Sequence, residues 1–128
     1  MKLLLDTCVF IWLTQAPAEI SRAARRALDN AEHELWLSHA SIWEVHLKHL
    51  AGKLTLPERP RLWFSHQLAA WSVKDRPLDL ESLHLTSELP PVHKDPFDRL
   101  LVSQARTHGM TLVSPDKFFC DYGINVIW

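Results

Sequence analysis

The chain has 128 residues, 47% of them hydrophobic, with 14 Lys and Arg against 15 Asp and Glu; that suffices for one core and leaves no room for two. A net charge of −1 excludes a global field that would gather the protein onto nucleic acid or an anionic membrane, so a polyanion has to be met by a local patch or through metal. Cys8 and Cys120 stand outside any C-x-x-C spacing, which argues against a disulfide framework and fits a reducing, cytoplasmic setting.

In chain order, Lys2, the apolar runs 3–5 and 9–13 and Ala16-Pro17-Ala18 imitate a secretory leader. Asp6 and Thr7 interrupt it. A charge within a short membrane-engaging run costs roughly 2.5–3.5 kcal/mol on insertion scales, so residues 3–5 are read as the opening strand of a domain with no membrane partner. Such a short, unbroken apolar run is the mark of a strand covered on both faces. Ser21 caps a helix reaching about Asn30. Leu35, Trp36 and Leu37 form the next strand, and Ser38 or Ser41 starts a helix that Gly52 stops. Residues 62–73 and 81–89 read as two more helices, with 78–80 a weaker strand candidate. Asp95-Pro96 opens the last helix and Gly109 ends it. Residues 110–113 form a strand before Ser114-Pro115-Asp116, and 124–128 form the last. This alternation predicts an α/β fold, one domain over 1–128 with a central, mostly parallel sheet.

The three glycines, at 52, 109 and 123, are each explained as a helix stop or turn. No G-x-G-x-x-G follows the first strand and no G-x-x-x-x-G-K-[ST] exists, which excludes the usual backbone cradles for dinucleotides and nucleoside triphosphates. A site must be built from side chains.

Ligands of open parallel sheets collect beyond the strands' carboxyl ends, where Asp6 and Asp116 fall. Alone, Asp6 is equally explained as a helix cap and Asp116 as a turn residue. Ala40, Trp43, Glu44, Leu47 and Ala51 share one helical face, so Glu44 is expected to interrupt a buried apolar stripe; the alternative is an exposed pair with Lys48. Asp98 heads a stripe with Leu101, Val102 and Ala105, although Asp95 and Asp98 also resemble a capping box. Carboxylates crowded together repel, and a hard divalent cation removes that repulsion. His46 and His49, three apart, belong to no H-E-x-x-H or Cys/His set and are read as structural. Cys8 is read as a buried thiol rather than a nucleophile, and Trp12, Trp36, Trp43 and Trp63 as packing rather than base-stacking groups.

Leu3-Leu4-Leu5-Asp6-Thr7, Ser41-Ile42-Trp43-Glu44-Val45, Gly52-Lys53-Leu54, His93-Lys94-Asp95-Pro96-Phe97-Asp98-Arg99 and Ser114-Pro115-Asp116 occur in this order. With them the chain resembles PIN-domain ribonucleases of the VapC toxin type over essentially its whole length. The resemblance implies an α/β/α sandwich, RNA hydrolysis dependent on Mg²⁺ or Mn²⁺, and inhibition by a cognate antitoxin in a homodimer or a larger hetero-oligomer. The family's acidic quartet carries over onto Asp6, Glu44, Asp98 and Asp116. Asp95 matches a further acid, either a metal ligand or a helix cap, and Thr7 and Ser114 match supporting hydroxyl positions. Arg22, Arg25 and Arg26, at i, i+3 and i+4, with Lys48 and Arg99 nearer the acids, are candidate RNA contacts, set against a plain solvated face. Two alternatives stand beside this: a non-catalytic module whose acidic pocket takes a basic peptide, and another metal-dependent phosphoester hydrolase.

Overall fold

The computed structural model describes residues 1–128. Five parallel strands, β1 (Lys2–Leu5), β2 (Glu34–Ser38), β3 (Val73–Arg76), β4 (Thr111–Val113) and β5 (Val126–Ile127), lie in the order β3-β2-β1-β4-β5. Between them run α1 (Thr7–Gln15), α2 (Arg22–Asp29), α3 (His39–Leu50), α4 (Pro60–Ala70), α5 (Leu80–Leu85) and α6 (Pro96–His108). The α/β expectation holds, and the sheet is parallel throughout.

Alternation along β1 sends Leu3 and Leu5 to one face and Leu4 to the other, so this central strand seeds two cores. Phe10, Leu13, Trp63 and Phe64 from α1 and α4 fill the first. Leu101, Val102 and Ala105 of α6, with Phe119 and Tyr122, fill the second. Local chemistry sets the α6 ends. Asp95 accepts from the Phe97 and Asp98 N–H groups, Pro96 is the first helical residue, and Gly109 closes the helix at φ 63°, a left-handed backbone that favours glycine.

Three expectations about the middle of the chain are corrected. The helix expected over 62–73 ends at Ala70, because Ser72 turns the chain at φ 52° and Val73 enters β3. The strand is therefore residues 73–76 rather than 78–80. It sits at the sheet's edge, buries Val73, exposes Lys74 and Asp75, and so lacks the apolar run that marks a central strand. The helix expected over 81–89 stops at Leu85, beyond which the Arg99 guanidinium gathers the carbonyls of Thr86 and Leu89 into a loop.

Candidate acidic site at the carboxyl ends of β1 and β4

In this strand order the chain leaves β1 toward β2 on one side and has β4 on the other, a reversal that opens a crevice at their carboxyl ends. Asp6 directly follows β1 and Ser114 directly follows β4. The Asp6 N–H prolongs the ladder to Val113 O at 3.0 Å, while its Oδ2 accepts from Ser114 Oγ at 2.7 Å. Ser114 Oγ accepts in turn from the Asp116 N–H at 3.1 Å. Asp6 and Asp116 each precede a helical turn, yet neither side chain caps it. Both carboxylates are thereby left for the crevice. Burial pushes the Asp6 carboxyl above its ordinary range; the Ser114 hydrogen bond opposes this, and the charges of Asp116 and Glu44 add to it.

Glu44 reaches the same place by a different helical face from the one expected. The buried residues of α3 are Ala40, Ser41 and Val45, whereas Trp43 is 57% and Leu47 41% exposed. Apolar spacing alone did not say which stripe would face the core, and Ser41 with Val45 does so beside Ala40. Glu44 stands at the rim. Thr7 Oγ1 donates to Glu44 Oε1 at 2.6 Å and lies 2.8 Å from Ser41 Oγ. Its single proton is given to the carboxylate, so the serine donates in that second contact. Lys48 Nζ meets Glu44 Oε2 at 3.0 Å, so the ion pair does form, on a carboxylate only 16% exposed. Ser41, offered by the sequence as a helix start and as part of a motif, lies inside α3, where Ser38 is the cap, and its hydroxyl acquires a role only through Thr7 across the fold.

On α6, Asp95 is the helix cap, and its own N–H donates to His93 Nδ1 at 3.0 Å. Asp98 therefore does not reach back to close a capping box. Its carboxyl is pushed up to about 7, first by burial and then by the charges of Asp95, Asp6, Glu44 and Asp116. The electrostatics thus join all five acids. His93, absent from the expected site residues, stacks on Phe118 at 4.2 Å and brings Nδ1 within 3.5 Å of Asp98 Oδ2. Its place in the H-K-D-P-F-D-R segment was the only available signal.

Of the candidate RNA contacts, Lys48 lies against Glu44 and the arginines have other partners or stand in solvent. Arg99 is committed to the fold: Nη1 donates to the carbonyls of Pro90 and His93, and Nη2 to those of Thr86 and Leu89. Arg25 pairs with Asp29 at 3.0 Å, and Arg22 and Arg26 stand exposed on α2. Lys48 is held by Glu44. Among the histidines, His46 lies against Phe64. Burial and the charges of Asp6 and Asp116 push the Cys8 thiol up, which keeps it protonated at neutral pH and makes it a poor nucleophile.

As arranged, no three Asp, Glu, His or Cys side chains approach closely enough to enclose an ion. The donor set nevertheless fits a hard divalent cation: it is all oxygen, and the Asp6 and Asp98 carboxyl groups are raised first by burial and then by the charges of the neighbouring acids. Added positive charge would draw such acids together.

A parallel α/β sandwich with acids at the switch point of its sheet defines a class, and the comparisons specify it. The PIN domain family model matches residues 3–125, so the chain belongs to the PIN domain family, whose members are generally nucleases. No curated protein sequence matches it. Among solved structures, the fold is similar to DNA-bound VapBC from Salmonella typhimurium, with a TM-score of 0.70 at 19% identity over 98% of this chain and 96% of that one. VapBC2 from Rickettsia felis bound to a promoter DNA fragment gives 0.68 at 15% identity, over 98% and 97%. VapBC-5 from Mycobacterium tuberculosis, a member of the VapBC family of toxin–antitoxin systems, gives 0.59 at 15%, over 98% and 94%. At these identities the likeness is one of fold. No helix is long and apolar enough to cross a membrane.

Proposed function

We propose that this protein is a metal-dependent endoribonuclease acting as the toxin of a toxin–antitoxin pair in the cytoplasm. One observation carries the reading: Asp6, Glu44, Asp98 and Asp116, with Asp95, come from distant segments, and burial with their combined charge lifts Asp98 to about 7. Acids gathered from separate segments toward one end of a sheet are what a cation-binding phosphodiesterase site is built from.

Asp6, Asp98 and Asp116 would hold Mg²⁺, with Mn²⁺ able to substitute, and Glu44 would hold a second ion or orient water. Bound cations supply a water of lowered pKa and neutralise charge developing on the phosphate. Ser114 fixes the Asp6 carboxylate and the backbone after β4 in one arrangement. Thr7 does the same for Glu44, which accepts a proton from the attacking water or orients it. Water oxygen bonds to phosphorus as the bond to the 3′ oxygen breaks and that oxygen takes up a proton. The products carry 5′ phosphate and 3′ hydroxyl ends.

Likeness to toxin–antitoxin complexes supports a protein antitoxin as partner, and the assembly we propose is a homodimer or a larger hetero-oligomer with it. An arginine from the antitoxin's basic tail suits the acidic crevice, since a guanidinium bonds carboxylates bidentately and competes with cations. Purified protein incubated with total RNA in Mg²⁺, Mn²⁺ or chelator tests the reading. Discrete cuts with 5′ phosphate ends that chelator abolishes are expected. A pure binding module gives no cuts in any buffer.

A further inference from the structure

Beside the acids, between α3 and α6, lies a hollow of about 340 Å³ lined by Glu44, Leu47, Lys48, Lys53, Asp95 and Phe97. Trp43 stands next to it with 57% of its surface in solvent, its ring centroid 5.4 Å from that of Phe97 and the planes inclined at 64°. An exposed indole is unusual in a chain that buries Trp63 almost completely, and here it is held in place by an aromatic edge rather than left free. Trp43 precedes Glu44 and Phe97 precedes Asp98, so the aromatic pair is joined to the acids through two different helices. Lys53 enters no ion pair and stands on the same hollow.

We infer that Trp43, held by Phe97, is a stacking platform for an unpaired base flanking the scissile phosphate, with Lys53 receiving the phosphate beyond it. This rests on the ribonuclease reading and adds to it the side chains that hold the strand beside the cut. Two observations favour RNA over a protein occupant. The hollow combines a free ammonium with an aromatic face, the pairing that single-strand sites use for phosphate and base. It also opens directly onto Glu44 and Asp95, so a strand lying there has its next phosphate at the carboxylates. A second copy of the chain, seated on the stripe of Trp43, Leu47 and Leu50, would use the apolar surface and leave the Lys53 charge without purpose. Trp43 is thus a positioning residue.

The test uses the full chain and a fluorescein-labelled ten-nucleotide single-stranded oligoribonucleotide containing a mapped cut site, together with the same strand made abasic at one position beside the cut. For the wild-type protein the abasic strand should show KM raised roughly tenfold or more at little cost in kcat. Trp43→Ala should show the same rise on the intact strand and no further rise on the abasic one, while Trp43→Phe recovers most of the loss. Lys53→Gln should weaken binding of both strands and reduce its salt dependence. If every abasic strand and Trp43→Ala leave KM unchanged while cleavage proceeds, the platform is refuted and the ribonuclease reading survives. Unchanged KM with conversion of a dimer to monomer by Trp43→Ala or Leu50→Ala makes the face a copy interface and equally refutes it. If the wild-type protein cuts no RNA, the ribonuclease reading fails; anisotropy of a mixed-sequence ten-mer, lost in Trp43→Ala and kept in Trp43→Phe, then upholds the platform, and equal binding by all three proteins overturns it.

Discussion

The Ser114 hydroxyl donates to Asp6 Oδ2 at 2.7 Å although the two residues lie 108 positions apart. The same oxygen accepts the Asp116 N–H, so one hydroxyl ties the carboxyl ends of β1 and β4 together. Ser114→Ala removes a hydrogen bond to a charged acceptor and lets the Asp6 carboxyl rise further. We expect the Mn²⁺ concentration for half-maximal cleavage to increase about 10- to 100-fold, read from metal titrations of an oligoribonucleotide assay.

Asp6→Asn replaces a buried charge at the centre of the cluster with a neutral group of the same shape. Cleavage should fall by more than about a hundredfold. In chelator the variant should melt higher than the wild type by roughly 2–6 °C, because repulsion from Asp116 and Glu44 is relieved. Circular dichroism melts read the second effect independently of the first. A well-folded Asp6→Asn protein cutting at the wild-type rate would remove Asp6 from the reaction.

The Asp98 carboxyl titrates near 7 in the folded chain against an ordinary value of 3.8. Between those values the folded state binds more protons at this group than the unfolded state does. Its stabilising contribution is therefore complete below about pH 3.8 and is lost as pH rises through 7. In chelator, the wild-type melting temperature should fall relative to Asp98→Asn between pH 4 and pH 8, by on the order of 5 °C. Mg²⁺ should narrow the gap at pH 8. Parallel melting curves across this range would show that Asp98 does not carry the shift.

Arg99 donates to four carbonyls of the loop between α5 and α6, and Tyr122 Oη lies 3.5 Å from its Nη1. Arg99→Gln leaves several of those carbonyls unpaired and should cost about 2–3 kcal/mol in urea unfolding. A direct phosphate contact would instead show as a salt slope for RNA binding reduced by about 0.7 with stability unchanged. We expect the loss of stability, with the slope intact.

Much of this protein was legible from residue order. Apolar runs ending in Asp6 and Ser114 located the two central strands, because a strand covered on both faces cannot hide its composition. The scarcity of glycine directed attention to side chains, and the acids following those runs stand beyond the carboxyl ends of β1 and β4. Local chemistry also left Asp95 with two roles, and only the fold, by setting its oxygen against the Phe97 N–H, made it a cap. The edge strand 73–76 was missed because its outward residues are charged, so its pattern is that of a loop. Glu44 was selected through a face of α3 that proved to be exposed: periodicity defines stripes on a helix, but the neighbouring elements decide which stripe is covered. Tertiary structure likewise bound Lys48 to Glu44, turned Arg99 inward onto backbone carbonyls and left Trp43 in solvent. Spacing along a chain reports only neighbours within a turn or two, whereas the charge, burial and partners of these side chains depend on segments brought beside them by the sheet.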